Sequence, residues 1–226
     1  MKVTNNNKNT ILCIGGLQIY RNNLKAEKIQ FVENTYNAND FQNLFINIKL
    51  HKYGFSVSKL YKRSLINKYS LRFDENVHIA EDCIFMMNFI IKASQERINC
   101  ISFIKQCNYI YMIKGDSLST SVKSYEKEIY SYNVYKKTLL KLEQSYKINN
   151  TILKKNFSTS FYLDRIINSI YLLPNKKERI NKLKLIDLQE YRIYKKCNTK
   201  IERFLFFLLS NKLWFSFDFL RKHIIK

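Results

Sequence analysis

The stretch SKLYKRSLINKYSLRFDENVHIAEDCIF, residues 58–85, combines short segments whose order is typical of a mixed α/β fold. Residues 55–69 predict a short strand or turn followed by a short helix, and residues 71–75 (LRFDE) lead into a loop. Residues 81–93 are apolar enough to predict a largely buried helix. The first turn of that helix carries two adjacent carboxylates, Glu81 and Asp82.

The residues before this stretch predict a strand and a short helix. Residues 10–20 (TILCIGGLQIY) indicate a buried strand, with Gly15 and Gly16 at a bulge or at a close approach of two backbones. Residues 21–39 are polar, and we expect a loop there. Asp40 can cap a helix whose apolar positions fall at helical spacing. Those positions are Phe41, Leu44, Phe45 and Ile48.

The residues after it change character near residue 121. Residues 98–104 and 109–113 alternate in polarity and predict two strands. From residue 122 to the end the pattern is helical, and we expect four helices and no strand. The sequence therefore predicts an α/β part at residues 1–121 and an all-helical extension at residues 122–226.

The chain is strongly basic. Its 39 Lys and Arg against 18 Asp and Glu give a formal net charge of +21, which would attract nucleic acid, an anionic membrane leaflet or nucleotide phosphates. An AT-rich genome, whose codons favour Lys, Asn, Ile, Tyr and Phe, is an equally good explanation. A basic nucleic-acid-binding protein is a distant alternative, because the sequence has no zinc-finger spacing, RNP-type motif or GxxG loop. We expect no nucleic-acid partner.

The cysteine content and the apolar segments indicate a cytoplasmic protein. The five Cys include no CxxC pair, and the three His are far apart, which argues against a disulfide framework or a zinc site. The first residues lack the apolar core of a signal peptide, and no stretch is apolar and long enough to span a membrane.

The three blocks within residues 58–85 resemble a run in known enzymes. Their order and spacing are similar to the "KLYKRSLI … LRFDE … EDLLF" run in the acceptor-binding, C-terminal half of family 2 glycosyltransferases of bacterial surface-polysaccharide biosynthesis. Residues 108–111 (NYIY) and 116–119 (DSLS) are similar to the "YYY … SLS" stretch that follows in that family. The resemblance covers roughly residues 10–122 and implies a partial GT-A-like α/β domain, with a few strands and packed helices.

The resemblance implies a catalytic role for the two carboxylates. An inverting transferase needs a general base that takes the proton from the acceptor hydroxyl, and the family places this base in the Glu-Asp pair. Asp82 is therefore the expected base, and Glu81 would orient the acceptor or support Asp82. Free backbone N–H groups and the helix dipole would stabilise a carboxylate at this position. The alternative is that both residues only cap the helix.

Six further side chains are expected to bind substrate, namely Lys59, Lys62, Arg63, His78, Ser117 and Ser119. The three basic side chains would face the donor diphosphate or an anionic lipid-linked acceptor, or else belong to a solvated surface. The histidine would touch the acceptor unless it is an ordinary exposed loop residue. The two serines either contact a sugar or cap the first helix of the extension.

Complete members of the family also have a nucleotide-sugar half that ends in an Asp-x-Asp motif. Its carboxylates hold a divalent metal, Mg²⁺ or Mn²⁺, against the donor diphosphate. This sequence contains no Asp-x-Asp, so no cofactor site is identifiable in it. Three explanations stay open: a truncated remnant, one subunit of a split enzyme whose partner chain supplies the donor half, or a catalytically inactive interaction module. As an active enzyme it would transfer a sugar from a nucleotide-sugar donor to a glycan or lipid-linked acceptor.

The C-terminal residues predict a single amphipathic helix from about residue 200 to residue 225. Its apolar runs, FLFFLL at 204–209 and LWF at 213–215, are interrupted by Lys and Arg. Such a helix is too charged to span a bilayer but suits the interface of an anionic membrane. We therefore expect a peripheral protein on the inner face of the membrane. The alternative is that this helix packs on the body of the protein.

Overall fold

The computed structural model describes residues 9–21, 24–97, 99–113, 121–194 and 199–224. The mixed α/β architecture confirms the predicted fold class, with a sheet of few strands and a helical region.

The chain forms two compact units. The first comprises residues 1–121 and 134–150, and the second comprises residues 122–133 and 151–226. The longest helix, α3 (Tyr125–Tyr146), therefore has its first residues in the second unit and the remainder in the first. The domain boundary after residue 121 stays a prediction.

The described part of the first unit contains one five-stranded sheet, formed by β1 (Thr10–Arg21), β2 (Leu24–Ile29), β3 (Asn34–Asn37), β4 (Lys59–Tyr61) and β5 (Cys100–Ile113). The order is β2-β1-β5-β3, and β4 also pairs with β1. The pairing of β1 with β5 is parallel and extends along the whole of β1, whereas β2, β3 and β4 pair antiparallel with their neighbours. Because β5 pairs along one edge of β1, the strands β4 and β2 pair with successive parts of the opposite edge.

Burial explains why β1 is apolar at successive positions. Ile11, Leu12, Ile14 and Leu17 are all nearly inaccessible to solvent, so both faces of this strand are covered. A strand buried on both faces reads as a continuous apolar run, as the sequence predicted.

The prediction of a loop at residues 21–39 is wrong, because β2 and β3 lie there. Three of the four residues of β3 are exposed, and only Tyr36 is partly buried. Polar residues suffice in these strands because β1 and β5 supply the backbone partners, and the sheet rather than the local pattern fixes them as strands.

The two strands predicted near residues 98–104 and 109–113 are one continuous strand, β5. The register of β5 shifts opposite the glycines: Gly15 pairs with Ile104, and Gly16 pairs with Cys107. The interruption in polarity is therefore a bulge within β5, and the predicted irregularity at the two glycines is confirmed.

Helices of the first unit largely match the sequence pattern. They are a π-helical segment (Gln42–Asn47), a 3-10 segment (Leu50–Tyr53), α1 (Arg63–Lys68) and α2 (Glu81–Ala93). Asp40 does cap the first of these, because its Oδ1 accepts a hydrogen bond of 3.0 Å from the backbone N–H of Asn43. The segment is π-helical, and the backbone N–H of Ile48 donates to the carbonyl of Asn43, five residues earlier.

From residue 122 onward the described residues contain seven helices, where the sequence predicted four. They are α3, α4 (Asn150–Asn156), α5 (Ser160–Ile170), α6 (Lys176–Leu183), α7 (Leu188–Tyr194), α8 (Lys200–Ser210) and α9 (Trp214–Ile224). None of the described helices is both long and apolar enough to cross a membrane.

The prediction of a single C-terminal helix from residue 200 to 225 is wrong, because a turn separates α8 from α9. Lys212 adopts a left-handed conformation with φ of 60°. Its N–H donates to the carbonyl of Leu209, and the N–H of Leu213 donates to that of Leu208 at 2.9 Å. These bonds form a helix C-cap that usually contains glycine. Because lysine occupies that position, no glycine marks the break in the sequence.

Two buried Arg–carboxylate pairs hold the helices of the second unit together. Arg165 on α5 donates two hydrogen bonds, of 2.7 and 2.9 Å, to Glu128 on α3. Arg179 on α6 likewise binds Asp218 on α9, at 2.8 and 3.0 Å. Each pair is almost entirely removed from solvent, so each arginine satisfies a carboxylate that could not stay buried alone.

Replacing Gly16 with alanine should destabilise the first unit. A Cβ atom there would lie 2.4 Å from the carbonyl oxygen of Ile29 and 2.5 Å from Sγ of Cys107, so backbone must move. We expect Gly16→Ala to lower the free energy of unfolding by about 1–3 kcal/mol, measured by urea denaturation.

Gly15→Ala is the matched control for this prediction. The added Cβ would lie 2.9 Å from the hydroxyl of Ser58, a small side chain that can rotate, and 3.4 Å from the carbonyl of Gln106. Its cost should therefore be smaller. Equal losses of stability in the two variants would contradict the close approach at Gly16.

Candidate functional site

Asp82 sits in the first turn of α2 and binds a different part of the chain. Its Oδ2 accepts a hydrogen bond of 3.0 Å from the backbone N–H of Ser56, in the segment that precedes β4. Ala80, the residue immediately before α2, adopts a left-handed conformation with φ of 56°, and no side chain caps the helix at this position. The hydrogen bond between Asp82 and Ser56 fastens the start of α2 to the loop before β4.

Lys59, the first residue of β4, shares this environment. Its ammonium donates a hydrogen bond to the carbonyl of Phe55 and lies 5.1 Å from the centre of the Phe55 ring. Burial lowers the pKa of Lys59 to about 8, although the Asp82 carboxylate partly offsets this by favouring the charged amine. An amine with this pKa changes its charge close to physiological pH.

Cys83 is packed too tightly to act as a nucleophile. Its thiol donates to the carbonyl of His51 at 3.2 Å, and burial raises its pKa to about 12, so the thiol stays protonated. A Cβ on Gly54 would lie 2.4 Å from the Cβ of Cys83, so only glycine fits opposite it. This contact brings the 3-10 segment against the start of α2.

Tyr61, on β4, packs against the helix that carries Asp82. Burial, followed by the charge of Asp82, raises the pKa of the phenol, which is therefore neutral at physiological pH. Its ring packs edge-on against Phe85 and Phe89 of α2, with centroid distances of 5.4 and 5.0 Å. These contacts fix β4, and with it Lys59, against the helix that carries Asp82.

A cavity of about 230 Å³ lies beside Lys59, on the sheet around the glycines. Gly15 lines this cavity together with Ser58, and a Cβ on Gly15 would lie 2.9 Å from the Ser58 hydroxyl. Gln106 and Tyr109 of β5 provide polar and aromatic walls. Lys59, Gln106 and Tyr109 are therefore among the residues that surround one small cavity.

The predicted site residues do not all come together. The charges of Asp82 and Lys59 interact, and Glu81 is half-buried next to Asp82 in the sequence. Lys62 and Arg63 are exposed at the start of α1, and His78 is half-buried in the loop before α2. Ser117 and Ser119 lie outside the described residues. The roles assigned to all these residues stay predictions.

Sequence reasoning missed Ser56, Ser58 and Tyr109. Ser56 acts through its backbone N–H, which carries no side-chain signature. The Ser58 hydroxyl donates to the carbonyl of Gly16 at 2.9 Å, a contact set by the pairing of β4 with β1. The Tyr at 109 was recognised as part of the family-like NYIY segment, but only the bulge in β5 brings it to the cavity.

A metal site is not formed by the described residues, since no three His, Cys, Asp or Glu side chains lie close enough to hold an ion.

Comparisons with known proteins support the fold. No protein-family model matches the chain, and no curated protein sequence matches it. The fold is similar to the crystal structure of S. aureus TarS residues 1–349 in complex with UDP-GlcNAc, with a TM-score of 0.51 and 16% sequence identity. The match covers 94% of this chain and 59% of the TarS chain. The chain thus has a glycosyltransferase-like fold and spans about three fifths of the structure it matches.

The coupling of Lys59 to Asp82 can be tested by titration. Because the Asp82 carboxylate raises the pKa of Lys59, Asp82→Asn should lower that pKa below its wild-type value of about 8. The rate of acetylation of Lys59 as a function of pH, followed by mass spectrometry, reports this pKa directly.

Glu75→Gln is the control, since Glu75 is an exposed carboxylate in the loop before α2. It should leave the titration of Lys59 unchanged. An unchanged or raised pKa of Lys59 in Asp82→Asn would show that the two groups are not electrostatically coupled.

Proposed function

We propose that the chain is the acceptor-side part of a glycosyltransferase, which transfers a sugar from a nucleotide-sugar donor to a surface-glycan acceptor. The observation that carries this proposal is the Asp82 carboxylate, which is held by the Ser56 N–H and interacts with the charge of Lys59, a residue that lines a cavity. The similarity to a structure that contains UDP-GlcNAc supports the same class of donor. Because fold alone does not establish function, the site has to carry the argument.

Asp82 would act as the general base. Its Oδ2 is held in place by Ser56, which leaves Oδ1 to accept the proton from an acceptor hydroxyl as that oxygen attacks the sugar. The side chain is half-buried, so an acceptor can reach it while the surrounding protein restricts its rotation. Glu81, in the same turn, would bind a second hydroxyl of the acceptor and orient it.

Lys59 would serve as the counter-charge of the base. While it is charged, its ammonium supplies a positive charge near the Asp82 carboxylate. The lowered pKa of Lys59 means that this charge is lost as the pH rises through about 8. Lys62, Arg63 and His78 lie in neighbouring segments and are proposed to contact the donor phosphates or the acceptor, as are Ser117 and Ser119.

The donor side would need residues other than those described here. A divalent metal would neutralise the donor diphosphate in the complete enzyme, and a partner chain or further residues would hold both. A non-catalytic module derived from a glycosyltransferase has the same fold, and only turnover distinguishes it from an enzyme.

Asp82→Asn tests the proposed base. Asparagine retains an oxygen for the Ser56 N–H but cannot take the acceptor proton. We expect transfer to fall by about 100-fold or more, while calorimetry shows unchanged binding of UDP- or GDP-sugars in the presence of Mn²⁺. The measurement is made on the full chain, with any co-purifying partner that supplies donor binding.

Glu75→Gln again serves as the matched control and should retain wild-type turnover. An Asp82→Asn variant as active as wild type would exclude Asp82 as the base. Donor binding without turnover in the wild-type protein would favour the non-catalytic module.

We also propose that α8 and α9 bind the surface of an anionic membrane. Leu205, Leu208 and Leu209 bury one face of α8 in the second unit. A second apolar face stays exposed, with Phe204 and Phe207 each more than half accessible to solvent. Exposed apolar side chains also occur on α9 and in the turn before it. They are Leu213, Phe215 and Phe219.

Basic side chains accompany this exposed face. Lys200 and Arg203 on α8, Lys212 in the turn and Lys222 on α9 are all exposed. Aromatic side chains that enter the acyl region, together with lysine and arginine at the headgroups, are typical of helices that lie in the membrane interface. Such an anchor would place the enzyme close to a lipid-linked acceptor.

Phe204→Ser combined with Phe207→Ser should weaken membrane binding by about tenfold or more, because each exposed Phe would lose the free energy of entering an apolar phase. Co-sedimentation with phosphatidylglycerol vesicles measures the binding, and phosphatidylcholine vesicles test the contribution of charge.

Leu185→Ser is the control, since Leu185 is 69% exposed but lies in the turn after α6. It should bind vesicles as well as the wild-type chain. An equal loss in the control, or vesicle binding unaffected by the double change, would exclude the α8–α9 face as the membrane contact.

A further inference from the structure

The first unit contains a second concave site, away from the Gly15 cavity. It is a groove of about 510 Å³ between residues 69–72, α2 and the second half of α3. Three basic side chains line it, one from each of these elements: Arg72, Lys92 and Lys141. No acidic residue is among the described residues that line it.

No described residue neutralises the positive charge of this groove by an ion pair. A carboxylate near the end of α2, that of Glu96, is already bound to Lys68 at 2.7 Å and to the hydroxyl of Tyr69. Burial, followed by the charges of Lys137 and Lys92, lowers the pKa of Lys141. Neighbouring ammonium groups thus repel one another, and an anion placed between them would relieve that repulsion.

Amide side chains line the groove between the charges. Asn88 lies on α2, Gln95 lies in the turn after α2, and Gln144 lies on α3. Primary amides both donate and accept hydrogen bonds, so they suit the hydroxyl groups of a sugar as well as the oxygens of an anion. A volume of about 510 Å³ is within the range of sites that hold small organic ligands.

Both aromatic rings that line the groove already contact other side chains of the protein. Phe85 stacks on Phe73 at a centroid distance of 4.4 Å. The ammonium groups of Lys68 and Lys92 lie 5.2 and 5.5 Å from the centre of the Tyr69 ring. Single-stranded nucleic acids depend on open aromatic faces for base stacking, so this groove favours a glycan over a nucleic acid.

We propose that this groove binds an anionic glycan, whose phosphate or carboxylate groups contact Arg72, Lys92 and Lys141 while its hydroxyls bond to the amides. Asn88 follows Asp82 by six residues on α2, which corresponds to about 9 Å along the helix axis. If the proposed function holds, the groove retains the acceptor chain and its end reaches Asp82. Binding of the glycan to the groove does not itself depend on catalysis.

The experiment compares the full-length wild-type chain with a Lys92→Gln/Lys141→Gln variant by calorimetry. The probes are a glycerol-phosphate oligomer, an oligogalacturonate and a neutral dextran oligomer, so that phosphate, carboxylate and hydroxyl contacts are separated. We expect at least one anionic oligomer to bind, and its Kd to rise by about tenfold or more in the variant. Neutral dextran should bind to neither protein measurably.

The control is Lys154→Gln/Lys155→Gln, which removes the same charge from an exposed helix of the second unit. It should change Kd by less than about twofold, and thermal unfolding should show that both double variants fold. An equal effect in the control would mean that only the net charge matters. A single-stranded oligonucleotide that binds with the same dependence on Lys92 and Lys141 would overturn the glycan assignment.

Calorimetry of the wild-type chain and the Lys92→Gln/Lys141→Gln variant separates this proposal from the proposed function. It measures binding at residues that have no proposed part in the chemistry, so its result stands whatever the turnover of Asp82→Asn. No binding of either anionic oligomer to the wild-type chain would exclude the groove as an anionic-glycan site, whatever the catalytic result.

Discussion

The parallel pairing of β1 with β5 is the constraint on which the first unit depends. It joins Thr10 to Cys100 at one end and Arg21 to Ile113 at the other, and it takes one whole edge of β1. The opposite edge then accepts β4 and β2 in succession. Because β1 is buried on both faces, any shift in this pairing would expose apolar side chains and displace every other strand.

The candidate site follows from this arrangement through a short series of backbone contacts. The N–H of Gly15 donates to the carbonyl of Ser58 at 2.9 Å, which holds the start of β4 on β1. Two residues earlier, the Ser56 N–H binds Asp82 and fixes the start of α2. Lys59 is thereby held in a partly buried position beside the carboxylate, and the lowered pKa of its amine is a consequence of that position. The catalytic hypothesis thus rests on contacts that the sheet determines.

The groove and the Asp82 site both include residues of α2, but the charges in the two places differ. The charge near Asp82 is the opposite charge of the Lys59 ammonium. In the groove Lys92 and Lys141 have no carboxylate partner among the described residues, and the like charges raise the electrostatic potential there. A glycosyltransferase acting on an anionic glycan would use both features, one for chemistry and the other to hold the polymer.

The sequence by itself determined the buried strand β1, the irregularity at Gly15 and Gly16, the extent of α2 and the position of its carboxylates, because each has a local signature in apolar spacing or in glycine. It could not determine that residues 24–29 and 34–37 are strands, since their polar residues become strands only through pairing with β1 and β5. Nor could it locate the turn at Lys212, where helix capping occurs without glycine. Only the tertiary structure brought Ser56 to Asp82 and Arg72 to Lys141, because contacts between residues distant in sequence depend on packing rather than on local pattern.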